Sequence, residues 1–315
     1  MKIVRVLITG SRGLVGRNLL DIISKSDEFE ILSPSHQELD LCDKDMVKNY
    51  LVIHKPDIII HAAGYVGGIQ ANINNSLQFL IKNLDMGRNL VYTAYELGIR
   101  NFINLGSSCM YPRNIDRALT EDMVLKGELE PTNEGYALAK CTVAKICEYI
   151  DTSYDDYHYK TLIPCNLYGK WDKFDLDKAH LVPSIINKIY HAKKSGLDSV
   201  IVWGSGNVRR EFLYAGDLAT IIIKCIPIIE KLPSFMNVGV GEDYTVNEYY
   251  EKIAEALDYD GCFIHDYNKP EGMNRKLVDV TVQKRLGLYY VTSLEEGITL
   301  TLKYYIEKMK DREAI

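Results

Sequence analysis

IVRVLITGSRGLVG, residues 3–16, decides the fold. Its first six residues are apolar and mostly β-branched, broken only by Arg5, and such a run favours a buried strand. The run ends at Gly10, and Gly13 and Gly16 follow where a helical pattern begins. A strand that turns through three glycines into a helix matches the phosphate-binding turn of a dinucleotide fold. The first glycine permits the tight turn, the second lets the main chain approach a pyrophosphate, and the third lets helix and strand pack closely. N–H groups at the helix start then meet the phosphate charge. Ile3–Ile8 is too short to cross a membrane and no signal-peptide cleavage pattern follows it. The chain is therefore expected to stay in the cytoplasm.

Outward from this segment, short β-rich runs alternate with amphipathic stretches. Strands are expected at Ile3–Ile8, Phe29–Leu32, Ile58–His61, Asn101–Leu105 and Lys160–Pro164, and helices at Leu14–Ser24, Lys44–His54, Asn83–Leu97 and Tyr136–Ile150. This rhythm predicts an α/β fold, a Rossmann-type doubly wound parallel sheet with helices on both faces. After about Asn166 the rhythm loosens into loops rich in Gly, Asp and Lys. A helix at Leu218–Ile229 and a strand at Phe235–Val238 return to the sheet, and helices near Val246–Leu257 and Leu294–Lys308 suggest a smaller α/β lobe. The expected division is residues 1–164 plus 212–236 for the cofactor-binding domain and 165–211 plus 237–315 for the substrate lobe.

Composition narrows the function classes. A net charge of −6 over 315 residues gives no basic footprint for nucleic acid. Seven cysteines with no CxxC pair give neither a disulfide framework nor a zinc site, so reduced thiols and no metal are expected. Any anionic ligand must be held by locally concentrated Lys and Arg.

The second strand helps choose the cofactor. NAD enzymes usually place Asp or Glu at its end, to take hydrogen bonds from the adenosine ribose. Here the strand ends in Leu32-Ser33-Pro34-Ser35-His36 without a carboxylate, and Arg12 stands in the glycine loop. No repulsion and a nearby guanidinium favour a 2′-phosphate, hence NADP(H). Gly10, Ser11, Arg12, Gly13, Leu14, Val15 and Gly16 would carry the phosphates. Asp40 and Leu41 could line the adenine pocket, and Ala62 and Ala63 lie where the dinucleotide would cross the third strand.

Tyr136-Ala-Leu-Ala-Lys140 puts a phenol and an ammonium on one helix face. A free tyrosine holds its proton to a pKa near 10, and a neighbouring cation favours the phenolate. Such a tyrosine can protonate a carbonyl oxygen as hydride reaches the carbon. A YxxxK pair alone is most often a helix surface pair. Gly106-Ser107-Ser108-Cys109 changes the balance, because it places hydroxyls at the carboxyl end of a strand, where ligands of doubly wound folds bind.

With these residues in order, the chain resembles the extended short-chain dehydrogenase/reductases and, within them, the GDP-L-fucose synthase family, which epimerises GDP-4-keto-6-deoxymannose at C3 and C5 and reduces it at C4. The resemblance spans essentially the whole chain. It rests on Gly67–Asn72, Gly106–Pro112, Glu130–Glu134, Asn166–Gly169, His180–Pro183, Trp203–Gly206, Arg210–Leu213 and Arg275–Leu277. It implies that Ser107 holds the substrate carbonyl, Tyr136 protonates O4, and Lys140 binds the nicotinamide ribose and tunes Tyr136. It further implies that Cys109 and His180 move protons during epimerisation. Around the cofactor it implies His36, Leu105, Gly106, Ser108, Pro164, Asn166, Leu167 and His180. For the GDP-sugar it implies Ser107, Ser108, Asn166, Lys188, Trp203, Arg210, Glu271 and Lys276, with Trp203 stacking on base or ribose and Arg210 on the diphosphate. Relatives commonly pair through two helices per subunit, so a homodimer is expected.

Departures from the family pattern fall at Gly135, Cys165, Glu271 and Lys170–Phe174, and those near Lys170 and Cys165 border the expected sugar pocket. A reductase without epimerase activity, acting on a related sugar such as a GDP-heptose, is the nearest rival. A non-catalytic NADP(H)-binding regulator commonly lacks the Tyr or the Lys, and both are present. A 4-epimerase that retains NAD is disfavoured by the missing acidic residue after the second strand.

Overall fold

The computed structural model describes residues 3–175, 179–269 and 272–313. The opening strand β1 (Val4–Thr9) runs into α1 (Leu14–Ile23), followed by β2 (Phe29–Leu32), α2 (Lys44–His54) and β3 (Ile58–His61). Short α3 (Ile69–Asn74) and long α4 (Ser76–Glu96) lead to β4 (Asn101–Leu105), and α5 (Glu134–Ser153) leads to β5 (His158–Pro164). Then come β6 (Asn166–Tyr168), α6 (Leu181–Lys194), β7 (Ser199–Trp203), β8 (Arg209–Arg210), β9 (Phe212–Tyr214) and α7 (Ala215–Cys225). The chain closes with β10 (Phe235–Val238), β11 (Tyr244–Thr245), α8 (Val246–Ala256), β12 (Cys262–Asp266), β13 (Arg275–Lys276), α9 (Thr281–Arg285) and α10 (Leu294–Glu313).

Six strands form one sheet in the order β10-β5-β4-β3-β1-β2, every pair parallel. Alternation along β1 distributes the core: Val6 and Ile8 pack with Leu19, Ile23, Leu218 and Ile222 from α1 and α7, while Leu7 packs with Val47, Leu51, Leu90 and Val143 from α2, α4 and α5. Both faces are thus covered, as a parallel sheet requires. The strand order reverses between β1 and β3, which opens a crevice at the carboxyl edge beside Gly10.

A separate core gathers Tyr168, Val182, Ile186, Ile189, Val202, Phe212, Tyr249, Ile253 and Tyr305. It carries small sheets: β7 pairs with β12, and β8 lies between β11 and β13. The pairing of β6 with β9 brings this region against the end of β5.

Helix α6 has no counterpart in the sequence reading, although Val182, Ile185, Ile186 and Ile189 make a plain helical stripe. Helix α4 begins seven residues before the expected Asn83, because its first turns carry exposed Leu77 and Ile81 that blur the amphipathic pattern. The helix expected to reach Ile229 stops at Cys225 and tightens into a 3-10 turn, since Pro227 has no N–H to continue it. No described helix is long and apolar enough to cross a membrane.

Candidate active site

Gly10 ends β1 at φ +70°, where an added Cβ would meet the Ala63 backbone at 2.6 Å. Only glycine lets the loop and the Ala62–Ala63 segment close on each other at the switch point. Helix α1 starts after Gly13 with neither a side-chain cap nor an acidic residue in its first turn of Leu14, Val15 and Gly16. Its first N–H groups therefore remain suited to an anion. The Ser11 hydroxyl donates at 3.4 Å to the carbonyls of Ser33 and Pro34, fixing the glycine loop to the end of β2, and Arg12 is exposed above it. The Asp40 carboxylate accepts the Cys42 N–H at 2.9 Å, and exposed His36 is 3.8 Å from it. The Leu41 carbonyl accepts from Asn89 at 3.0 Å. A glycine cradle, a bare helix start, no carboxylate at the end of β2 and Arg12 at the rim fit a dinucleotide with a 2′-phosphate.

The second cluster begins where β4 ends. Ser107 is extended (φ −161°), and its Oγ accepts the Cys109 N–H at 3.3 Å, which starts the tight turn Ser108–Met110. The Ser107 hydroxyl also stands near the Tyr136 phenol and the Cys109 thiol, and it works to lower the pKa of each. Lys140, one helical turn beyond Tyr136, is buried and donates from Nζ to the Leu105 carbonyl at 2.8 Å. Nζ is 5.8 Å from the Tyr136 ring centroid. Gly64 faces it: a Cβ there would lie 4.0 Å from Nζ.

Burial dominates the titration of this cluster. It lowers the Lys140 pKa to about 8. It raises that of Tyr136, with the neighbouring Cys109 adding to the effect and the Ser107 hydroxyl opposing it. Desolvation is the largest influence on Tyr136, while the Lys140 ammonium is directed at the Leu105 carbonyl. Burial also raises the Cys109 thiol, while Lys276, Ser107 and Lys140 pull it down. Beneath the cluster, His61 hydrogen-bonds with Thr9 at 2.8 Å and is kept neutral, its pKa lowered to about 3 by burial and by Lys140.

Register assembles the cations of the substrate side. Arg209 and Arg210 of β8 stand opposite Arg275 and Lys276 of β13. Arg209 and Arg275 both turn to buried Asp243, at 2.7 and 2.5 Å. Alternation then sends Arg210 and Lys276 to the other face together. Lys276 acts on Cys109 electrostatically, and Arg210 and Glu130 act on Lys276, so this pair joins the Ser107 cluster. Asn166, just after Pro164 and before Leu167, donates to the Glu211 carbonyl at 2.9 Å. The buried Glu211 carboxylate accepts N–H groups of Val240, Gly241 and Val278 at 2.7–2.8 Å and so fixes the segments around it.

A third group stands apart. Lys188 Nζ lies 5.4 Å from the Trp203 ring centroid and Lys269 Nζ 5.3 Å from it, and Trp203 is more than half exposed. Lys188 also donates to the Tyr250 hydroxyl at 3.2 Å. His180 precedes α6 and is exposed. Glu271 lies outside the described residues. Lys269 and Arg17 escaped the sequence reading, and Glu130 entered it only within the Glu130–Glu134 motif, with no role of its own. Arg17 alone left a signal, a cation one turn inside a phosphate-binding helix.

A doubly wound sheet with a glycine cradle at its switch point, and Ser, Tyr and Lys at its carboxyl edge, defines a dehydrogenase/reductase of the short-chain class. Residues 6–239 match the NAD dependent epimerase/dehydratase family, and the chain belongs to that family, within its GDP-L-fucose synthase branch. It is 52% identical to the GDP-L-colitose synthase of Yersinia pseudotuberculosis, over 98% of this chain and 100% of that one. It is 48% identical to the GDP-L-fucose synthase of Azorhizobium caulinodans, over 96% of each. Among solved structures, a GDP-mannoheptose C4 reductase from Campylobacter jejuni with NADP bound superposes with a TM-score of 0.89 at 26% identity, over 97% of this chain and 99% of that one.

Proposed function

We propose that this protein reduces the C4 keto group of a GDP-4-keto-6-deoxyhexose with NADPH and also epimerises the sugar at C3 and C5. The observation that carries this reading is the clustering of Ser107, Tyr136 and Cys109: the Ser107 hydroxyl lies close enough to pull down the pKa of both the phenol and the thiol, and the buried Lys140 Nζ is 5.8 Å from the Tyr136 ring centroid. The names of the relatives at 52% and 48% identity support a GDP-linked sugar.

NADPH, when bound, supplies hydride to the carbonyl carbon. Ser107 holds the carbonyl oxygen and Tyr136 gives it a proton. The raised phenol pKa suits this direction, because Tyr136 is protonated at neutral pH and begins as the acid. Lys140 holds the nicotinamide ribose, and its charge eases departure of the phenolic proton. For epimerisation, the ketone acidifies the hydrogens on C3 and C5. Cys109 takes one as a proton from one face, and His180 returns a proton to the other face, inverting the carbon. Lys276, Ser107 and Lys140 are the groups that help Cys109 reach the thiolate against its burial. Arg210 and Lys276 hold the diphosphate, Asn166 and Ser108 face the sugar, and Trp203 with Lys188 covers the base.

We divide the chain at the boundaries set out above, into a cofactor-binding domain and a substrate lobe, and place the enzyme in the cytoplasm. Ile69, Ile73, Leu77 and Ile81 are exposed every four residues along α3 and α4, and Leu138 is exposed on α5. That apolar stripe supports a homodimer through these helices.

A reductase without epimerase activity, acting on a sugar such as a GDP-heptose, is favoured by the likeness to the C4 reductase and by the burial that holds Cys109 as a thiol. Incubation with the 4-keto precursors of GDP-L-fucose and GDP-L-colitose in D2O, without NADPH, separates the two. Deuterium at the epimerised carbons, seen by NMR, is the expected result. None at any position, with NADPH-dependent reduction intact, rejects the epimerase half.

A further inference from the structure

Beside the glycine loop a cleft of about 320 Å³ is lined by Ser11, Arg12, Arg17, Asp21, Ser33 and Trp171. Five of these belong to the β1–α1–β2 unit. Trp171 does not: it arrives from the loop after β6, on the far side of the substrate-lobe boundary. Its backbone is left-handed at φ +74°, a region that bulky side chains rarely occupy.

Several contacts hold it there. The indole N–H donates to Asp21 Oδ2 at 2.9 Å, and Lys170 donates to the same oxygen at 2.8 Å. Asn18 donates to the Lys170 carbonyl at 3.0 Å. The Arg17 guanidinium lies 4.5 Å from the indole centroid, and Tyr304 of α10 packs on the ring at 5.1 Å. Arg17 Nε donates to the Arg12 carbonyl at 3.3 Å, so the two arginines are tied at their bases. Among the described residues, the terminal nitrogens of Arg17 make no hydrogen bond or ion pair. The carboxylate of the cleft, Asp21, is already engaged by Lys170 and Trp171. A cleft with two guanidinium groups, beside a strand whose carboxyl end runs Leu32-Ser33-Pro34-Ser35-His36 without a carboxylate, is matched to a phosphomonoester dianion.

We infer that Arg17, braced by Trp171, is a second guanidinium for the 2′-phosphate of NADPH, so that a strap from the substrate lobe sets cofactor choice together with α1. This rests on the NADP(H) reading above. Planar stacking on Trp171 restricts the guanidinium, so less side-chain freedom is lost when phosphate binds.

The test measures dissociation constants of NADPH and NADH by fluorescence titration of the full-length protein, alongside 2′,5′-ADP and 5′-AMP by calorimetry. Wild type is expected to prefer NADPH and 2′,5′-ADP; absence of that preference would defeat the NADP(H) reading itself. Arg17→Gln should weaken NADPH and 2′,5′-ADP about 10-fold or more, with NADH and 5′-AMP changed less than twofold. Arg17→Lys should recover part of the loss. Trp171→Gly, which relieves the backbone while removing the ring, should lower the NADPH preference about 3-fold or more. Melting curves identify any variant that fails to fold, and Arg17→Gln alters only a half-buried polar side chain. If wild type prefers NADPH and neither variant changes the ratio by more than twofold, the inference is overturned while the cofactor reading stands.

Discussion

The reaction centre and the outer nucleotide end of the cleft use similar side chains under opposite conditions. At the centre Cys109 and Lys140 are buried, Tyr136 is half-buried, and burial is the largest influence on the protonation of all three. At the outer end Trp203 is 56% exposed, and the two lysines around it lie over its ring with no carboxylate paired to either among the described residues. The centre can hold a defined proton inventory because little water competes for it. The outer end can grip a flat, charged ligand but cannot enforce protonation, since solvent screens its charges. On the function proposed above, chemistry belongs to the first region and affinity to the second.

The sharpest way to break this contrast is Tyr136→Phe. Turnover should fall by about 10²–10⁴-fold, while NADPH affinity by fluorescence titration stays within about twofold. Substantial residual turnover would place the acid elsewhere. Trp203→Ala tests the other half. Its KM for the GDP-sugar should rise about 5- to 10-fold with kcat changed less than twofold, in keeping with cation–π and stacking terms of about 1–2 kcal/mol. A loss confined to kcat would erase the distinction between the regions.

The smallest effect asks whether burial governs protonation beyond the centre. Asp172 is buried; its Oδ1 accepts the Lys173 N–H at 2.7 Å, while Oδ2 has no hydrogen-bond partner among the described residues. Burial raises its pKa to about 7, from 3.8, against the Lys173 N–H bond and the charges of Lys173 and Lys308. Because the folded value exceeds the unfolded one, the protonated carboxyl favours folding at low pH, and that contribution is lost as pH rises from about 4 through 7. Asp172→Asn has no such loss. Its melting temperature should exceed wild type by about 2–4 °C at pH 8 and by less at pH 5. A gap that does not change with pH would show that Asp172 is not the titrating group.

Much of the cofactor half was legible because its signals are local. A β-branched run, three glycines and a helical stripe are contiguous, and β2, β3, β4 and β10 begin and end where their residues predict. The spacing of Tyr136 and Lys140 likewise places them on one face of α5 without any knowledge of the rest. Their titration was not legible, because burial of Lys140 depends on Leu105 and Gly64, which come from other segments. The approach of Trp171 to Arg17 depends on how the loop after β6 crosses α1, and nothing in either stretch encodes that meeting.

The sequence by itself determined the strand–glycine–helix cradle, the parallel α/β rhythm and the residue types needed for reduction, since each follows from backbone preference or helical spacing within one short stretch. Tertiary structure alone decided that Arg210 and Lys276 point the same way, that burial is the largest influence on Tyr136, and that Trp171 packs against Arg17. Those outcomes depend on register, desolvation and packing between distant segments, which exist only once the chain has closed upon itself.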